Sequence, residues 1–138
     1  MASSGNNSLY FEAVGAGGPQ DVVLPFGTAA PYDIGIFEFS SMFYVNSGTG
    51  AYFNFQAETL PGQVWSLDCK MDLGVLVLEN TGSGLNYLST SYPQAQWFEI
   101  KLICDLTNNN WELFIDGVTQ GSFTNTINKI ASLDLYPI

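Results

Sequence analysis

Residues 51–57 read Ala51-Tyr52-Phe53-Asn54-Phe55-Gln56-Ala57, with apolar and mostly polar side chains taking turns along the chain. Successive side chains of a strand point to opposite faces, so a period of two marks a half-buried β-strand. Ala51, Phe53, Phe55 and Ala57 share one face; Tyr52, Asn54 and Gln56 share the other. The pattern continues outward in both directions. Upstream, residues 34–46 are aromatic and β-branched and stop at Ser47-Gly48-Thr49-Gly50. Residues 21–26 form a shorter strand whose Pro25 suits a sheet edge, because proline has no N–H for a ladder. Downstream, Leu60-Pro61-Gly62 turns the chain. Residues 64–72 then alternate again, with Trp65, Leu67, Cys69 and Met71 inward and Ser66, Asp68, Lys70 and Asp72 outward.

Further strands are expected over residues 73–79, 85–92, 97–106, 111–115, 118–123 and 127–135. Gly- and Asn-rich turns separate them, among them Asp116-Gly117, a dipeptide that favours a tight hairpin turn. No segment sustains an apolar period of 3.6 over three turns, so helix is nearly absent. Nine or ten strands with turn signals between them predict an all-β fold: two packed antiparallel sheets in a jelly-roll β-sandwich. The 138 residues suffice for one domain, expected over residues 9–138 behind a flexible lead-in at residues 1–8. Residues 15–18 read as a Gly-rich hinge: no helix follows them, so they are not a phosphate loop.

Composition removes whole classes of function. Three Lys face thirteen Asp and Glu, Arg and His are missing, and the net charge is -10. Nucleic acids and anionic membranes need clustered cations, so neither is a partner. Without His there is no Ser-His-Asp or Cys-His arrangement, and two Cys alone cannot build a zinc site. Cys69 and Cys104 fall on apolar faces, either as two buried free thiols or as a disulfide between neighbouring strands. No run of 18 apolar residues suggests a membrane span. The acidic, Lys-poor, Asn- and Gly-rich composition points to an extracellular, secreted setting.

If the alternations share one exposed sheet, its outward residues include Glu38, Ser40 and Tyr44, then Tyr52, Asn54 and Gln56, with Ser66, Asp68 and Lys70. Tyr rings beside amides and carboxylates suit a sugar, which offers an apolar face for stacking and hydroxyls for hydrogen bonds. The expected partner is therefore a neutral glycan or polysaccharide, with the site centred on Tyr52, Asn54 and Gln56. Ordinary cross-strand pairing on a polar sheet face explains the same residues. Trp65 and Trp111 lie in inward phase. Trp97 is out of phase with the apolar face of its strand, and either packs at the rim or offers a stacking platform.

The stretch Tyr92-Pro93-Gln94-Ala95-Gln96-Trp97-Phe98-Glu99-Ile100-Lys101-Leu102 precedes Asp105-Leu106 and Trp111-Glu112-Leu113-Phe114-Ile115-Asp116-Gly117. Together with Gly50-Ala51-Tyr52-Phe53-Asn54 and Pro61-Gly62-Gln63-Val64-Trp65, it resembles the concanavalin A-like superfamily. More narrowly it resembles the laminin-G-like jelly-roll domains of secreted multidomain proteins of Bacteroidetes. The resemblance spans residues 9–136 and implies glycan binding, adhesion, or service as an appendage of a larger secreted protein. A structural or protein-adhesion module, packed against a neighbouring domain or a second copy, is the alternative. The chain stops where a closing strand usually follows in that family, so the resemblance leads one to expect an incomplete sheet edge.

The superfamily also includes glycoside hydrolases and polysaccharide lyases, so a degenerate or truncated enzyme is the third reading. The Glu-x-Asp-x-x-Glu motif of its glucanases is missing. Asp68 and Asp72 share a face, but Lys70 stands between them, and a neighbouring cation disfavours the protonated form that a general acid needs. The family habit of holding a metal in loops makes calcium a candidate cofactor. Asp21, Asp33 and Asp134 are scattered oxygen donors for it, and no Asp-x-Asp-x-Asp-Gly loop exists.

Overall fold

The computed structural model describes residues 2–12, 20–27 and 29–136. The hinge expected at residues 15–18 lies outside these. Ten strands are found among the described residues: β1 (Val22–Pro25), β2 (Ile36–Tyr44), β3 (Gly50–Gln56), β4 (Trp65–Asp72), β5 (Val75–Asn80), β6 (Leu85–Ser91), β7 (Trp97–Asp105), β8 (Asn110–Ile115), β9 (Val118–Phe123) and β10 (Ser132–Leu135). They form two antiparallel sheets, one ordered β1-β10-β3-β4-β5-β6 and the other β2-β7-β8-β9. β10 inserts between β1 and β3, so the final strand ties together the two ends of the fold. This is the expected all-β jelly-roll sandwich.

The inner faces follow the alternation. Phe53 and Phe55 of β3, Leu67, Cys69 and Met71 of β4, and Leu76 and Leu78 of β5 are fully buried. Across the sandwich they meet Phe98, Ile100, Leu102 and Cys104 of β7 and Trp111 and Leu113 of β8. Phe39 and Phe43 of β2 pack on Phe53 with ring centroids 5.3 and 5.5 Å apart, and Phe37 and Phe39 sit edge-on to Phe55. Burial of each such ring contributes about 1.5–3 kcal/mol, so this aromatic cluster is a main clamp between the sheets.

Three local readings change. Trp65 is not inward. The β3–β4 register pairs Phe55 with Leu67 but Gln56 with Trp65, a bulge that leaves Ser66 as the extra residue and turns Trp65 to the polar side. Trp65 is accordingly 39% exposed. Leu73 does not open a strand: Leu73 and Gly74 both have positive φ, 46° and 83°, and make the tight turn between β4 and β5. Asp116 and Gly117, with φ of 49° and 74°, make the turn expected of them. Residues 127–131 do not join β10. Lys129 N–H bonds the Ile127 carbonyl at 2.9 Å, and Ile130 bridges Tyr32 instead.

Cys69 lies on β4 and Cys104 on β7, in facing sheets, and both are free. Burial pushes both thiols well above the ordinary range, so neither forms a thiolate, the reactive species, near neutral pH. A maleimide reagent is expected to label no thiol in the native protein and both thiols per chain in denaturant. A disulfide would leave both unlabelled after unfolding as well.

Candidate functional site

The outer face of the six-stranded sheet is built by register. Ser132 and Asp134 of β10 stand opposite Gln56 and Asn54 of β3. Tyr52 and Asn54 stand opposite Lys70 and Asp68 of β4. Asp68 and Lys70 in turn face Glu79 and Val77 of β5, which face Asn86 and Ser89 of β6. A polar stripe thus crosses the sheet on the side away from the aromatic core.

The two halves of the stripe differ in access. Tyr52, Asn54, Gln56, Ser66, Asp68, Ser132 and Asp134 are all buried. Five of these side chains bond among themselves: Asn54 and Gln56 amides donate to Asp134 Oδ2 at 3.0 and 3.2 Å, and Tyr52 O–H donates to Asp68. Burial, and then the Asp68 carboxylate, push the Tyr52 phenol far above its usual value, so it remains a donor throughout the working pH range. Asp68 accepts a second bond from Thr81 N–H at 3.0 Å. Asn80 and Asn125 side chains reach the Ser66 carbonyl at 3.3 and 3.0 Å, which satisfies the backbone where the bulge interrupts the ladder.

The other half is open. Trp65 is partly exposed, and the Lys70 side chain retains 41% of its surface while bonding Glu79. Lys70 also holds the Glu79 carboxyl below the usual carboxylate range. Asn86, Ser89 and Ser91 of β6 and Val75 of β5 are exposed further along the same face. The outer face thus carries an aromatic ring at the start of β4 and, five residues further along that strand, a neutralised ion pair flanked by amides and hydroxyls. Sequence reasoning missed Trp65 because its apolar phase fits the core, and missed Asn80 and Asn125 because Asn in a turn reads as punctuation.

Glu38, Tyr44 and Trp97 do not join this face. They lie on β2 and β7, on the outer side of the opposite sheet, where Tyr44 stands across from Trp97. Trp97 packs against Tyr44 edge-on, with centroids 5.5 Å apart. Glu38 pairs with Lys101 at 2.9 Å. The single exposed sheet expected from alternation is thus two faces on opposite sides of the sandwich.

The candidate acid pairs are bound up in structure. Asp68 and Glu79 are cross-strand neighbours, but Glu79 is ion-paired and Asp68 accepts on both oxygens. Glu79, held below the usual carboxylate range, is shifted in the wrong direction for a general acid. The Asp134 carboxyl is held above its usual range, by burial first and then by the neighbouring Asp21 carboxyl, opposed by the Asn54 and Gln56 amides. Asp33 is not brought into a cluster with them: among the described residues no three acidic or sulfur side chains converge. Calcium needs six to eight oxygens, so the donor set on Asp21, Asp33 and Asp134 does not fit it.

No protein-family model and no curated protein matches the chain. Solved structures do. Galectin LEC-6 of Caenorhabditis elegans superposes with TM-score 0.61 at 12% identity over 86% of this chain and 84% of its own. Sheep galectin-11, in complex with glycerol, gives 0.59 at 14% over 94% and 92%. A variant of human galectin-16 gives 0.60 at 12% over 92% and 89%. The chain therefore has the concanavalin A-like jelly-roll sandwich of galectins. These neighbours are animal galectins and lend no support to the narrower laminin-G-like, Bacteroidetes assignment.

Asp134 makes stability depend on pH. Its folded pKa is raised, so the folded state holds the proton more tightly. The associated stabilisation is complete below the unfolded carboxyl value of about 3.9 and is lost as pH rises through the folded value. Asp21→Asn removes the facing charge. The melting temperature of this variant is expected to gain on wild type at neutral pH and to converge with it in mild acid; a pH-independent difference would contradict the assignment.

Proposed function

We propose that this domain is a non-catalytic lectin-like module that binds a neutral glycan on the open half of the outer face, across β4, β5 and β6. Trp65 serves as the stacking platform; Lys70, Glu79 and Asn86 supply hydrogen bonds to hydroxyls. One observation carries the reading: the bulge at Ser66 turns an indole out of the core and onto the polar sheet face whose strands β4 and β5 also carry an ion pair already neutralised. Sugar recognition requires an apolar ring face flanked by donors and acceptors.

Tyr52, Asn54, Gln56 and Asp68, closed to solvent, hold the strand spacing on which the open half rests. The galectin neighbours share the fold, and their name marks them as lectins. At such identities this supports the architecture, and the ligand is argued from the site. The acidic, Lys-poor composition supports an extracellular setting, as an appendage of a larger secreted protein.

A glycan-array screen tests this. Wild type is expected to bind neutral glycans with and without calcium. Trp65→Ala should weaken the best hit at least about tenfold, a loss of ~1.4 kcal/mol, and Trp97→Ala should leave it unchanged. Binding that survives Trp65→Ala and disappears with Trp97→Ala would move the site to the opposite sheet.

A further inference from the structure

Each of the three lysines of the chain stands within ion-pair distance of a glutamate: Lys70 of Glu79, Lys101 of Glu38 at 2.9 Å, and Lys129 of Glu58 at 4.0 Å. There is no Arg and no His, so among the described residues every cationic side chain already has a carboxylate partner. The three pairs differ in how they are held. Lys101 and Glu38 lie on β7 and β2, on the outer side of the opposite sheet, and Lys129 and Glu58 are both half-exposed outside the strands. Exposed pairs of that kind hold loosely. Lys70 and Glu79 stand on the open half of the candidate site, where the Glu79 side chain keeps only 17% of its surface. Glu79 Oε1 accepts from the Lys70 ammonium and from the Thr81 hydroxyl at 3.0 Å, and Lys70 reaches that same hydroxyl at 3.4 Å. The three groups close a triangle between β4, β5 and the turn after β5.

Carboxyl groups outnumber the ammonium on this face. Asp68 and Asp72 flank Lys70 along β4, and Glu79 stands across from Asp68 on β5. Asp68 is engaged on both oxygens, by Tyr52 and by the Thr81 N–H, and Asp72 is exposed. Lys70 holds the Glu79 carboxyl below the usual range, so Glu79 keeps its charge at neutral pH. A sugar hydroxyl meets donors and acceptors here, because the Lys70 side chain is still partly open. A carboxylate or sulfate on a glycan meets an ammonium whose charge is already cancelled, with further carboxyl groups on either side. Placing like charges together is costly, and such a cost is a means of discriminating between partners.

We propose that Glu79 determines the charge specificity of this face: by neutralising Lys70 it makes the open half reject acidic glycans, those bearing sialic acid, uronic acid or sulfate, and accept neutral ones. The assignment rests on the lectin-like reading and adds to it the residue that sets the charge class of the ligand. Because the rejection is electrostatic, salt weakens it by screening.

The test is an array in which each neutral oligosaccharide is printed beside its sialylated and its sulfated counterpart, read as the ratio of acidic to neutral binding. Wild type is expected to bind the acidic members at least about tenfold more weakly than the neutral ones at low salt, with a smaller gap at high salt. Glu79→Gln keeps the acceptor and removes the charge, so the ratio should rise about fivefold. Adding Asp72→Asn, which denies Lys70 its exposed neighbour, should raise it further. Lys70→Met leaves Glu79 bare and should lower the ratio below wild type. Glu38→Gln makes the same change in net charge on the opposite sheet, and should leave the ratio where it was. A ratio unmoved by both Glu79→Gln and Lys70→Met would overturn the assignment, as would an equal rise in Glu38→Gln. Wild type that binds acidic and neutral members alike would do the same. A blank for every glycan would overturn the lectin-like reading itself, and this assignment with it.

Discussion

Tyr52 bonded to Asp68, and Asn54 and Gln56 bonded to Asp134, are shut away from water on the outer face of β3, β4 and β10, and these hydrogen bonds constrain the rest of the molecule. A buried polar group left unpaired costs about 1–3 kcal/mol. β3 must therefore sit in register with both β10 and β4, since a slip of one residue would turn Phe53 and Phe55 outward and these polar groups into the core. The same register brings the aromatic cluster of β2 and β3 together on the inner side. The bulge at Ser66, held by the Asn80 and Asn125 amides, is the one place where the alternation is broken, and the candidate site begins there.

Much of the fold was legible because alternation is a direct projection of burial. Residues 51–57, 67–72 and 97–106 each show one face in the core and one away from it, as their spacing demanded. What alternation does not encode is which sheet a strand joins. Glu38, Tyr44 and Trp97 alternate as cleanly as Tyr52 and Asp68, yet the chain crosses between sheets after β2 and again after β6. A common site assembled from phase alone therefore came apart into two faces. Turn chemistry was readable at Asp116-Gly117 and hidden at Leu73-Gly74, since a leucine at positive φ runs against its own preference.

The candidate site was legible in kind and not in detail. The polar stripe was expected, but its accessible portion lies one strand further along, from β4 to β6, because hydrogen bonding among β10, β3 and β4 consumes the groups nearest the centre. Trp65 was hidden by its own hydrophobicity: nothing in a run of alternating residues distinguishes an inward tryptophan from one displaced by a bulge.

The three tryptophans occupy three environments: Trp65 on the open polar face, Trp97 against Tyr44 on the opposite sheet, Trp111 fully buried. Their indole N–H resonances report separately on each in a titration followed by nuclear magnetic resonance, with a neutral oligosaccharide as ligand. The account predicts that the Trp65 indole and the amides of β4, β5 and β6 shift together and saturably while Trp97 and Trp111 stay in place. Saturable shifts confined to Trp97 and β2, with Trp65 unmoved, would contradict it.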